Sequence, residues 1–163
     1  MTGIIQSKIE ELHRRLNENI EEIGITEIKI DENEIIKYCE LIKENNLIFK
    51  DDKVAINAGF EGKIIHPSYI TSLTNPIVQQ IIIKGGPELY SSLIKAYIHV
   101  GSEVEYKKPM VMNKKYKIKT ELSESVEKTG KKGSFCSNSF TFSVMDENND
   151  VYVIENHISF YKL

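Results

Sequence analysis

The chain has 163 residues, a formal net charge of −3 and a hydrophobic content of 40%. That length suits one domain able to bury its own core, and the balance of charge and apolar content excludes a disordered chain or a general nucleic-acid-binding surface. Apolar runs fall short of the roughly 20 residues of a membrane helix, and the opening MTGIIQSKIEEL lacks the basic and apolar regions of a signal peptide. A cytoplasmic protein without membrane partners is therefore expected. Cys39 and Cys136 make neither a disulfide framework nor a metal quartet, and read as reduced buried thiols. Neither a metal nor a cofactor is expected.

Ile4, Ile5, Ile9, Leu12, Leu16, Ile20 and Ile23 recur at helical spacing, so residues 4–23 form an apolar stripe that Gly24 stops. The alternation from Ile25 to Ile30 predicts a strand. Asp31 and Glu34 have the spacing of a capping box, and the helix after them is expected to bury Ile35, Ile36, Cys39 and Leu41 or Ile42. It should fray through Lys43-Glu44-Asn45-Asn46, and Asp51 to Gly62 reads as loop. Pro67 then opens a largely apolar stretch, Tyr69 to Ile83, expected to be a long buried helix. Pro76 is expected to bend or interrupt it. Gly85-Gly86-Pro87 ends that segment, and Glu88 to Leu93 is a connector.

The period then changes to two. Ala96 to Tyr106, Lys115 to Val126, Ser134 to Met145 and Val151 to Tyr161 alternate as half-buried strands do, separated by Lys107-Lys108-Pro109, Thr129 to Gly133 and Asp146 to Asp150. Helices first and antiparallel strands afterwards predict an α+β architecture in which the sheet covers the apolar helix. The expected division is an N-terminal amphipathic helix, residues 1–24, and one domain, residues 25–163.

Ala55, the stretch Gly59-Phe60-Glu61-Gly62-Lys63-Ile64-Ile65-His66-Pro67 and the run Glu103-Val104-Glu105-Tyr106-Lys107-Lys108-Pro109 resemble the MaoC-like branch of the hot-dog superfamily, in the form that opens many dehydratase subunits. The resemblance spans roughly Ile25 to the C-terminus. It implies a hot-dog fold, dimers, and (R)-specific enoyl-thioester hydratase or 3-hydroxyacyl-thioester dehydratase chemistry on acyl chains carried by coenzyme A or acyl carrier protein. The family's signature is Gly-Asp-x-Asn-Pro-aliphatic-His, five residues, then a small residue. With Ala55 as the small residue, Phe49 falls on the histidine, Leu47 on the proline, Asn46 on the asparagine, Glu44 on the aspartate and Lys43 on the glycine.

Hydration of a double bond conjugated to a thioester needs a base for water, a proton for the α carbon and donors for the developing oxyanion. The resemblance makes Glu44 the substitute carboxylate, while the phenyl ring of Phe49 transfers no proton. His66 sits where the family has a histidine opening the central helix. It is either structural or, titrating near neutral pH, a substitute base. Pro67 stands for a glycine and has no N–H, so Ser68 would have to serve as the oxyanion donor. Glu44 and His66 are thus the catalytic candidates, and Asn46, Phe49, Pro67 and Ser68 the substrate-binding ones. The lysines at 107, 108, 114, 115, 117, 119, 128, 131 and 132 either meet a phosphorylated carrier or are solvated strand ends.

Phe49 and Pro67 favour a non-catalytic or degenerate subunit paired with itself or with a related hot-dog chain. The alternatives are an active hydratase using Glu44 with His66, and a thioesterase, for which the central helix offers no carboxylate between Ser68 and Ile83.

Overall fold

The computed structural model describes residues 2–86, 93–131 and 133–162. Helix α1, Thr2–Ile23, ends as expected: Gly24 takes φ +66° and its N–H returns to the Ile20 carbonyl at 2.9 Å. Its apolar stripe is buried within the chain. Ile9, Leu12, Leu16 and Ile20 join the core, and Asn19 donates to the Ile81 carbonyl at 2.8 Å. Strand β1 is shorter than the alternation suggested, Thr26–Ile28. Helix α2, Glu32–Leu41, has Asp31 as its N-cap, accepting from Asn33 N–H. The capping box is not closed, because Glu34 instead receives the Tyr69 hydroxyl at 3.4 Å. Ile35 and Cys39 are buried, whereas Leu41 is 79% exposed and Ile42 40%. Leu41 is two residues past Cys39 and so lies on the opposite helix face, while Ile42 is the cap residue at which the helix stops.

Between residues 51 and 62, read as loop, lies a short helix, α3, Asp52–Asn57. Asp51 caps it with a carboxylate that accepts from both Lys53 and Val54 N–H groups, a local signal. A 3-10 turn, Pro67–Tyr69, leads into α4, Ile70–Lys84, which buries Ile70, Thr74, Ile77, Val78, Ile81 and Ile82. Pro76 does not interrupt α4. It lies on the exposed face, where water can satisfy the carbonyl that its ring cannot bond. Gly85 caps this helix; Pro87 and most of the expected connector, Glu88 to Ser92, lie outside the described residues.

Four long strands follow: β2, Ala96–Tyr106; β3, Tyr116–Gly130; β4, Gly133–Met145; and β5, Val151–Lys162. They form an antiparallel sheet in the order β1-β3-β4-β5-β2, so β1 and β2 are its edges. Inward residues pair in rows, Ile118–Val144–Val153 and Leu122–Phe140–His157, that cover α4 from the sheet side. The last strand holds a surprise of parity. Ile154, Ile158 and Phe160 lie half-buried on the outer face, while Glu155, His157 and Ser159 point into the core with 0% exposure.

Candidate functional site

Glu44 is placed by the end of α2. The expected fraying does not occur: Lys43 takes a left-handed φ of 58°, its N–H meets the Glu40 carbonyl, and the Glu44 N–H meets that of Cys39 at 2.8 Å. This is a Schellman turn with lysine where glycine is usual. It aims the Glu44 carboxylate at the next segment, where Oε1 accepts the Asn46 N–H at 2.8 Å. That bond, ahead of the nearby His66, holds the carboxyl below its ordinary value. Asn46 is a capping residue, its Oδ1 accepting the Ile48 N–H at 3.1 Å.

His66 is placed from the other side. The segment before it pairs with residues 110–112, Ile65 N–H to the Met110 carbonyl and Met112 N–H to that of Lys63, both at 2.8 Å. Lys63 is buried and ion-paired to Glu32 of α2 and Asp52 of α3, tying the two helices to this segment. The Tyr106 hydroxyl then donates to the Pro67 carbonyl at 2.6 Å, fixing the start of the 3-10 turn against the end of β2.

Glu44, His66 and Ser68 come together, although the chain separates the first two by the whole of α3. Glu44 Oε2 lies 3.5 Å from His66 Nε2. On the far side of the ring, Nδ1 receives the Ser68 hydroxyl at 2.8 Å and the Ser68 N–H at 3.3 Å. With its proton on Nε2, facing the carboxylate, the imidazole presents Nδ1 as the acceptor. The Tyr38 hydroxyl of α2 lies 2.7 Å from Ser68 Oγ and completes the chain. Phe49 is buried with its ring centroid 4.8 Å from that of His66, so it packs against the imidazole and fixes its plane. His66 and Pro67 also line an apolar cavity of about 240 Å³ that Ile70, Leu73, Tyr106 and Met110 help enclose.

The Ser68 N–H, expected as an oxyanion donor, is turned toward His66 instead of the cavity. The strand-end lysines largely meet acids: Lys107 with Glu105, Lys108 with Asp150, Lys114 with Glu61, Lys115 with Glu147 and Lys119 with Glu121. These pairings favour solvated strand ends over a cationic docking surface. Lys132 lies outside the described residues.

A second polar group was missed in the sequence. Thr74 of α4 donates to Glu155 Oε2 at 2.7 Å, and Glu155 Oε1 lies 3.8 Å from His157 Nδ1. His157 Nε2 is 2.9 Å from the Tyr97 hydroxyl, and its ring stacks on that of His99 at 3.9 Å. Burial opposes ionisation of Glu155, but His157, Ser102 and Thr74 outweigh it and hold the carboxyl below its ordinary value. The signal was the shared parity of Glu155, His157 and Ser159 with Val153 and Tyr161, which puts all five on one face. No group of three potential metal ligands occurs among the described residues, nor any helix long and apolar enough to cross a membrane.

No protein-family model matches the sequence, and no curated protein does. Solved structures do match the fold. A chain of the ChsH1–ChsH2 complex from Mycobacterium tuberculosis superposes with a TM-score of 0.70 at 16% identity, over 97% of this chain and 95% of that one. The (R)-hydratase of A. caviae involved in PHA biosynthesis gives 0.62 at 15% identity, over 83% and 91%. A chain of the M. tuberculosis HadBC (3R-hydroxyacyl-ACP dehydratase) complex gives 0.67 at 10% identity, over 83% and 90%. The architecture is therefore the hot-dog fold shared by MaoC-like dehydratases and (R)-hydratases.

Proposed function

We propose that this chain binds acyl thioesters, on coenzyme A or acyl carrier protein, as one subunit of a hot-dog dimer whose hydration chemistry has been dismantled. The observation that carries this reading is the start of the central helix. Pro67 has no N–H, the Ser68 N–H is turned onto His66, and the buried Phe49 ring, which the resemblance aligns with the signature's histidine, packs on His66. The scaffold and an apolar cavity at the helix start remain, while the groups that stabilise an enolate and protonate carbon are gone. Two of the structural neighbours are two-chain complexes. Strand β2 offers a matching surface, a long edge with Ile98 59% and Val100 49% exposed. Such an edge is normally covered, and a second copy or a related chain would continue the sheet.

The test is hydration of crotonyl-coenzyme A, followed by loss of the ultraviolet absorbance of its conjugated double bond. The chain alone is expected to turn over very slowly or not at all. Losing a general base costs about 10²–10⁴ in rate and losing one oxyanion donor about 10²–10³. Phe49→His alone should therefore recover little, and Phe49→His with Pro67→Gly more than either single change. Rapid hydration by the unaltered chain would overturn this reading in favour of Glu44 and His66 as a working hydratase pair.

A further inference from the structure

The residues that suit hydration badly are arranged for a different reaction. We infer that Ser68 is an acyl acceptor which, with His66 as its base, removes acyl groups from thioesters bound beside Pro67 and passes them to water. This rests on the acyl-thioester reading above and adds an activity to it.

The geometry is that of an activated nucleophile: hydroxyl, imidazole and carboxylate in line, with the third group orienting the second. Ser68 Oγ is 2.8 Å from Nδ1 and Glu44 Oε2 is 3.5 Å from Nε2, so the two ring nitrogens are each committed. Relative to the usual serine triad the ring is reversed, the nucleophile lying on Nδ1 and the carboxylate on Nε2; either ring nitrogen can be the acceptor, according to the tautomer. Helix capping accounts for part of the arrangement, since His66 Nδ1 caps the 3-10 turn by accepting the Ser68 N–H, but not for all of it. A cap at His66 needs the Ser68 N–H, which stands at 3.3 Å, yet the hydroxyl lies closer. Capping also gives no reason for the Tyr38 hydroxyl of α2 to meet Ser68 Oγ. Ser68 is exposed and does not itself line the cavity, but its chain neighbour Pro67 and its partner His66 do, so a thioester lying over His66 and Pro67 can bring its carbonyl to Oγ.

The step balances with water as co-reactant. Ser68 Oγ gives its proton to His66 Nδ1 and bonds to the thioester carbonyl carbon. The Tyr38 hydroxyl, 2.7 Å from Oγ, can donate to the developing oxyanion. The carbon–sulfur bond breaks, and the leaving thiolate takes the proton from Nδ1 and departs as a thiol. Water then gives a proton to Nδ1 and attacks the serine ester, releasing the carboxylic acid and returning the hydroxyl. Glu44 touches no reacting atom. It is a positioning residue that holds the ring and its tautomer.

Butyryl-coenzyme A tests this, because its saturated chain offers nothing to hydrate. Binding is measured by calorimetry, thiol release with a chromogenic disulfide, and acylation by the intact mass after acid quenching. The unaltered chain should bind, release thiol and carry one butyryl group on Ser68. Ser68→Ala, at an exposed position, should still show binding by calorimetry but neither release nor adduct. His66→Gln should slow release by about 10²–10⁴ and Tyr38→Phe by about 10²–10³. Glu44→Asp should retain more activity than Glu44→Gln. Binding without thiol release, or release by Ser68→Ala at the unaltered rate, overturns the serine step alone. Absence of binding overturns the acyl-thioester reading and this inference with it.

Discussion

Replacing Thr74 by valine removes one hydroxyl from the core and almost no volume. Thr74 and Glu155 are both fully buried, and the Thr74 hydroxyl donates to Oε2 at 2.7 Å, closer than its own-helix acceptors at Ile70 and Thr71, 3.3 and 3.4 Å away. The other carboxylate oxygen, Oε1, has no hydrogen-bond partner among the described residues, so the Thr74 donor is one of few groups, with His157 and Ser102, that stabilise this charge. A hydrogen bond to a charged group is worth about 1.5–3 kcal/mol. Valine and threonine are alike in shape and in helix preference, so the polar loss stands almost alone. In urea, with m about 2 kcal/mol per molar, the unfolding midpoint should fall by about 1 M at unchanged m. The sign of the pH dependence follows from Glu155, whose folded pKa lies below the ordinary 4.5. Such a carboxylate contributes stability above its unfolded pKa and loses it as pH falls through the folded one. Removing the donor weakens that depression. The gap between the two proteins should therefore be full at pH 7 and close as the pH falls from about 4.5. Thr74→Ser, which keeps the hydroxyl, should show a smaller loss without that closure. A Thr74→Val protein within about 0.5 kcal/mol of the original, or a gap constant down to pH 3, refutes the argument.

Two further outcomes follow from packing and from the sheet edge. Leu16→Ala, at a position with 0% exposure under α1, should cost about 2–5 kcal/mol in chemical unfolding; a negligible change would mean that the N-terminal helix is not integral to this core. Ile98→Lys, on the exposed edge strand, should convert the proposed dimer to a monomer by light scattering while leaving each subunit folded, since a charge there opposes strand pairing. A dimer that survives the change would place the contact elsewhere.

The pattern of the sequence by itself determined the layout: a stripe at helical spacing gave α1, a proline before an apolar run gave the start of α4, and period-two alternation with turn chemistry gave β2 to β5. These signals are local, because helix and strand periods and caps are properties of neighbouring residues. Glu44, His66 and Ser68 were each legible as candidates, but not as one group. Their convergence depends on the left-handed turn at Lys43, on the pairing of residues 63–65 with 110–112, and on the Lys63 clamp across α2 and α3. The fate of the Ser68 N–H could not be read either, since it depends on where the imidazole comes to rest. The inward placement of Glu155 and His157 went further against local pattern. On β5 the apolar residues divide between two faces, and alternation alone does not say which face α4 covers. Only tertiary structure decides that, because a carboxylate and an imidazole tolerate burial just where Thr74, Ser102 and Tyr97 bring hydroxyls to meet them.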